Sequence, residues 1–290
     1  MRMSILLQHL LPHKLLSSIV RRATRWTFAP WKNLLIGTVV RRYAVDLAEA
    51  ESASYDDYAH FNAFFTRALK PGARPMPADA AAVACPADGH VSRSGTITDG
   101  RLLQAKGIEF SAAELLGDAA AAQAYAGGDF VTIYLSPRDY HRVHMPLDGE
   151  LVETLHVPGR LFGVAPFVVA AVPRLFARNE RLVCHFRHAR GPFAVVLVGA
   201  MLVSGIETVW NGIEVPPYAK RPLRRDYRGR GIRLARGDEL GRFDMGSTVI
   251  VLLPAALARI DPALRDEQAV RVGDAIGRVR GQTVTEFEEP

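Results

Sequence analysis

The chain has 290 residues, 49% of them hydrophobic, which is room for one large domain or two small ones around a sizeable core. A formal net charge of +6 and a pI ≈ 9.5 suit an anionic partner, either a nucleic acid or an acidic bilayer. A mean hydropathy of +0.05 is low for a multi-span membrane protein, and the isolated Cys85 and Cys184 form neither a disulfide framework nor a CxxC metal clip.

Residues 1 to 70 read as helical. Leu15, Leu16, Ile19, Val20, Ala23 and Trp26 fall within an arc of roughly 140° at helical spacing. Lys14, Arg21, Arg22 and Arg25 fall on the other side. Two further helical stretches are expected over Leu34–Ala50 and Tyr55–Leu69. Such helices suit either ordinary packing or a membrane interface, with Trp26, Phe28 and Trp31 at headgroup level. No signal peptide is expected, since His9, Pro12 and His13 break the first apolar stretch. Leu161–Ala177 is the best spanning candidate. Gly163, Pro166, Pro173 and Arg174 leave it short of the roughly 20 apolar residues that a span needs.

Lys70-Pro71-Gly72-Ala73-Arg74-Pro75 is a boundary, because its prolines and glycine stop a helix. Residues 71–290 are expected to be β-rich, with strands at Phe130–Leu135, Leu182–Phe186, Phe193–Val203 and Val249–Leu253. Two internal echoes lie in this part. Pro86-Ala87-Asp88-Gly89 resembles Pro146-Leu147-Asp148-Gly149, and Gly237-Asp238-Glu239 resembles Gly273-Asp274-Ala275. The expected fold class is therefore α+β. N-terminal amphipathic helices are followed by a duplicated antiparallel β core resembling a barrel-sandwich hybrid.

The segment Ser136-Pro137-Arg138-Asp139-Tyr140-His141-Arg142-Val143-His144-Met145-Pro146 packs a carboxylate and two histidines behind a strand. His-x-x-His is half a metal site, but no Cys or carboxylate spacing completes a zinc pattern, so no metal is expected. Histidine is a base near neutral pH without much tuning. A nucleophilic hydroxyl needs such a base, and the base an orienting carboxylate. Ser247, in Met245-Gly246-Ser247-Thr248 before the run Val249–Leu253, is the nucleophile candidate. His144 or His141 is the candidate base, and Asp88 or Asp139 the candidate orienter. Gly246 lacks a Cβ, which leaves its carbonyl open to attack by the Ser247 hydroxyl. If the resulting ester eliminates, Ser247 becomes dehydroalanine and then a pyruvoyl group, an electron sink. The basic run Lys220, Arg221, Arg224, Arg225, Arg228, Arg230 and Arg233 lacks aromatic interleaving, which favours phospholipid over nucleic acid.

Together these motifs resemble the bacterial phosphatidylserine decarboxylases over nearly the whole chain. The segments that carry the resemblance are Phe64-Phe65-Thr66-Arg67-Ala68-Leu69-Lys70-Pro71-Gly72-Ala73-Arg74-Pro75, Pro86-Ala87-Asp88-Gly89, the Ser136–Pro146 segment, Leu175–Arg181, and Gly237–Phe243 with Gly246-Ser247-Thr248. The resemblance implies a self-processing enzyme that turns phosphatidylserine into phosphatidylethanolamine through a Schiff base with a pyruvoyl cofactor made from Ser247. It makes Gly246–Ser247 the scissile bond, Asp88 and His144 the processing partners, Asp139 a supporting carboxylate and His141 the histidine of decarboxylation. It also implies a place on the cytoplasmic face of the inner membrane. The expected assembly is a heterodimer of the two cleavage fragments, further dimerised and peripherally bound, with the amphipathic residues 1–70 as the membrane-associating region.

Overall fold

Burial on both faces of the central strands determines the architecture. Ser247–Leu253 is buried throughout. Val249, Val251 and Leu253 belong to one apolar core, and Ile250 and Leu252 to another. Side chains alternate across a strand, so an unbroken apolar run marks one with a core on each side. The computed structural model describes residues 8–201, 205–244 and 247–281.

Among the described residues nine strands form the main sheet. From one edge it runs Leu223–Asp226, Gly149–Val157, Arg181–His188, Gly191–Val198, Ser247–Leu253, Asp129–Leu135, Gly89–Thr96 and Ala269–Val270, all antiparallel. Arg233–Leu234 also pairs with Gly149–Val157. A four-stranded sheet places Arg142–His144 beside Glu239–Phe243. With the helices ahead of them, these open sheets make the chain α+β. Cys85 and Cys184 are buried free thiols.

The internal echoes are matched hydrogen bond for hydrogen bond. Cys85 donates its N–H to the Asp274 carbonyl at 2.7 Å and accepts from Gly273 at 3.1 Å. Met145 donates to Asp238 and accepts from Gly237, both at 2.9 Å. The Asp88 carboxylate accepts the Val272 N–H at 2.9 Å, and Asp148 accepts that of Arg236 at 2.7 Å. The halves also cross-bond, Ala84 N–H to Pro146 and His144 N–H to Pro86, at 3.0 and 2.8 Å. Thus His144 occupies in one half the place that Ala84 holds in the other.

The first helix, His13–Thr24, packs with its polar side inward. His13, Ser17 and Thr24 are buried, whereas Leu15 and Ile19 are 60% and 53% exposed. His13 accepts the Leu161 N–H at 3.2 Å, and Lys14 pairs with Glu180 at 2.9 Å. The second helix, Ala29–Tyr43, ends sooner than expected, because Ala44 turns left-handed at φ 51°. Of the expected Tyr55–Leu69 helix, a 3-10 turn at Tyr55–Asp57 and one α-turn at Phe61–Phe65 form, the latter capped by His60 Nδ1 on Ala63 N–H. Phe61, Phe64 and Phe65 pack with Ile36 and Tyr58 in a separate small core. Among the described residues no helix is long and apolar enough to cross a membrane.

Candidate active site

Ser247 opens a central strand and pairs with Leu135, the last residue of the neighbouring one. Its side chain is fully buried, and Oγ has no hydrogen-bond partner among the described residues. A buried hydroxyl without a partner costs about 1–3 kcal/mol, so its place calls for a chemical reason. Gly246 lies outside the described residues. Ahead of it, Asp244 is fully buried and accepts from Arg25 at 2.9 Å and from the Asn62 amide at 3.1 Å. Burial pushes the Asp244 carboxyl above the usual carboxylate range.

Beyond Leu135 the chain turns sharply. Asp139 Oδ2 holds the turn, accepting both the N–H and the O–H of Ser136 at 2.7 Å. His141 lies beneath it, fully buried and stacked on Phe65 with ring centroids 4.1 Å apart. Its Nε2–H donates to the Ser136 carbonyl at 3.1 Å, and Nδ1 has no partner among the described residues. Burial, then the positive charge of Arg67, pushes its pKa down to about 3, so the ring is neutral at physiological pH.

His144 Nδ1–H donates to the Gly237 carbonyl at 2.8 Å, which leaves the lone pair on Nε2. Nε2 accepts the Tyr140 O–H at 3.1 Å. Burial lowers the His144 pKa, and the Gly237 bond opposes the shift. The Tyr140 hydroxyl, pushed up to about 12 by burial, stays protonated and serves as a donor.

Asp88 sits in the turn whose Pro86 carbonyl accepts the His144 N–H. A side chain at the adjoining Gly89 would put its Cβ 2.2 Å from the Tyr134 carbonyl, so only glycine fits there. The Asp88 carboxylate does not bond His144. Arg74 grips it through Nε at 2.9 and 3.1 Å and through Nη2 at 2.5 Å. Asp88, Asp139, Tyr140, Arg67, Arg74 and Arg138 share the wall of a cavity of about 270 Å³.

The fold therefore gathers Asp88, Asp139 and Tyr140 at one cavity, with His144 one hydrogen bond away and His141 packed beneath the same turn. Ser247 opens the strand beside that turn, and its Oγ bonds neither histidine. Tyr140, Arg67 and Arg74 were missed as site residues, although all three stand inside motifs quoted above. Among the described residues no three His, Cys, Asp or Glu side chains group to hold a metal ion.

A strand-opening buried hydroxyl, a neutral buried histidine and a charged cavity make this the candidate site of an enzyme built on an α+β scaffold. The comparisons with known proteins agree on which. The family model described as phosphatidylserine decarboxylase matches residues 61–278, and one described as PSD matches residues 3–44. The phosphatidylserine decarboxylase proenzyme of Xanthomonas euvesicatoria pv. vesicatoria (strain 85-10) is 58% identical over 272 residues, covering 94% of this chain and 97% of that protein. The proenzyme of the same name from Stenotrophomonas maltophilia (strain R551-3) is 53% identical over 288 residues, covering 97% and 100%. The chain belongs to the phosphatidylserine decarboxylase family and is a carboxy-lyase.

Proposed function

We propose that this chain cuts itself between Gly246 and Ser247 and then decarboxylates phosphatidylserine to phosphatidylethanolamine. The observation that carries the reading is the Ser247 hydroxyl, shut inside the fold at the start of a strand without a partner among the described residues. It fits a residue that is consumed by its own chemistry. Attack of Oγ on the Gly246 carbonyl replaces the amide by an ester and frees the residue 247 amine. Elimination then releases the Gly246 carboxylate and leaves dehydroalanine, whose imine tautomer water hydrolyses to a pyruvoyl group with loss of ammonia. That group, once formed, supplies an electron sink for the pair released with CO2.

The other residues hold protons and exclude water. His144, its proton fixed on Nδ1 by Gly237, offers Nε2 as the base for processing once Tyr140 yields it. Asp88, held by Arg74, favours the charged form of His144 by its field rather than by contact. Asp139 shapes the Ser136 turn, whose carbonyl fixes the proton of His141 on Nε2. His141 takes up a proton on Nδ1, which has no partner among the described residues, and delivers it to the carbon that has lost CO2, returning to the neutral ring. Burial keeps competing water away from that step.

Membrane association is peripheral, on the cytoplasmic face of the inner membrane, and residues 1–70 provide it. Leu15, Ile19, Trp26, Phe28 and Leu34 are all more than half exposed, and aromatic and aliphatic side chains of this kind seat in a headgroup layer. The expected basic contribution is reduced by internal pairing. Lys14 is spent on Glu180, Arg25 on Asp244 and Glu207, and Arg224, Arg225 and Arg228 on carboxylates of their own surroundings. The cleavage fragments stay together as a heterodimer, because strand Ser247–Leu253 lies between two strands of the other fragment, and further dimerisation is part of the reading. The test is turnover of phosphatidylserine vesicles by the purified protein, with Ser247→Ala as the inert comparison. Turnover by the uncut Ser247→Ala chain would overturn the reading.

A further inference from the structure

Arg67 follows the short Phe61–Phe65 helix and is 5% exposed. Its Nη2 donates to the Arg138 carbonyl at 3.2 Å, while Nε and Nη1 have no partner among the described residues. It makes no ion pair there either. A buried guanidinium without a counter-charge is expensive, and protein interiors rarely keep one. Yet Arg67 lines the 270 Å³ cavity beside carboxylates. Asp88 and Asp139, whose charges act on Arg67, and Glu49 on the same wall are already engaged. Asp88 is held by Arg74, Glu49 by Arg74 and Arg271, and Asp139 by Ser136. Arg138, whose side chain is 53% exposed, adds a second cation, with Asp139 only at 3.6 Å.

We propose that Arg67 binds the phosphodiester of the substrate headgroup in this cavity, with Arg138 assisting. The inference rests on the decarboxylase reading for the identity of the lipid. Of the two anions on a phosphoserine headgroup, the phosphodiester is the one that suits a guanidinium. A cation clamped on the carboxylate stabilises the charge that must leave, and so favours the ground state over the transition state. Only an oxygen and a methylene separate phosphorus from the α-carbon, so an anchor at the phosphate also positions the reacting carbon. Burial is the larger cause of the low His141 pKa and the Arg67 charge the second, so an anion bound at Arg67 offsets only the second part.

The test uses the full chain with Ser247→Ala, so that binding is read without turnover, by calorimetry. Four probes are compared: glycerophosphoserine, glycerophosphoethanolamine, inorganic phosphate and L-serine. Both phosphodiesters are expected to bind, inorganic phosphate more weakly and serine not measurably. Adding Arg67→Gln is expected to weaken both phosphodiesters roughly 10- to 100-fold, the range of a charge-assisted hydrogen bond, with Arg67→Lys between. Arg138→Gln, at an exposed side chain, reads the same cavity should Arg67→Gln fail to fold, and is expected to weaken the phosphodiesters several-fold. Phosphodiester binding unchanged in both variants overturns the proposal. So does serine binding as strongly as glycerophosphoethanolamine, or inorganic phosphate binding more tightly than either diester. Phosphodiester binding by a chain whose processed form leaves phosphatidylserine untouched would sink the decarboxylase reading and leave the anion site standing.

Discussion

Arg25, one residue past the first helix, donates to the buried carboxylate of Asp244 at 2.9 Å, three residues ahead of Ser247. The same guanidinium reaches Glu207 at 3.1 Å, and Asn62 holds the other Asp244 oxygen. The helix that shows its apolar side to the surroundings is thus tied by charge to the segment that precedes Ser247.

Arg25→Ala strands a buried carboxylate, and removing one partner of such a pair costs about 3 kcal/mol. Urea unfolding of the Ser247→Ala chain should show that loss, and Asp244→Asn added to Arg25→Ala should restore most of it. Self-cleavage should slow in Arg25→Ala, since the segment ahead of Ser247 loses its anchor. An unchanged urea midpoint would show that the pair holds nothing.

Stability should fall as pH drops below about 6.5. Burial lowers the folded-state pKa of His141, His144 and His185 from the ordinary 6.5. Below that value the unfolded chain binds protons that the folded chain refuses, so stability is full above about pH 6.5 and is lost on acidification. For His141 the loss continues towards pH 3, at up to about 1.4 kcal/mol per pH unit. Denaturant midpoints between pH 7.5 and 5 measure the slope, and His141→Asn should flatten it. A midpoint that climbs on acidification contradicts the neutral burial of these rings.

His141→Ala and His144→Ala should fail at different stages. His144→Ala should stay uncut, for want of the Nε2 base. His141→Ala should cut itself and still react with hydroxylamine at its new N-terminus, while decarboxylation falls by about 10²–10⁴-fold, as for a lost general acid. Gel analysis and CO2 release separate the outcomes. An uncut His141→Ala, or a processed one at full rate, reverses the assignment.

Vesicle binding should be led by apolar contact. Seating Leu15 or Ile19 in a bilayer is worth about 1.5–3 kcal/mol each, and Leu15→Glu with Ile19→Glu should abolish sedimentation with vesicles. Anionic vesicles should bind more tightly through exposed Arg22, Arg41 and Arg42, and salt should remove only that increment. Full binding by the double variant refutes the orientation of the helix.

Much of the β architecture was legible in particular residues. Runs such as Phe130–Leu135 and Val249–Leu253 are apolar on consecutive positions because a core lies on each side. The echoed Asp-Gly and Gly-Asp turns carried the duplication in plain view. The helices were less legible, since periodicity reveals an amphipathic face but not which side meets the protein. His13 and Lys14 turn inward because a donor and an acceptor on distant segments await them. The end of the second helix depended on the left-handed turn at Ala44 and the start of the Phe61–Phe65 turn on the His60 cap, and neither residue type announces such a boundary. Within the site, the candidate residues stood in recognisable segments. The grip of Arg74 on Asp88 and the isolation of Arg67 could not be read, because both depend on charges brought together only by folding.

The central claim is that Ser247 is consumed by the chain's own chemistry. Intact-mass spectrometry of the purified, active protein tests it most directly. Two polypeptides are expected, residues 1–246 with an ordinary carboxyl end and residues 247–290 beginning with a pyruvoyl group. A single intact 290-residue chain in a preparation that decarboxylates phosphatidylserine would contradict the account.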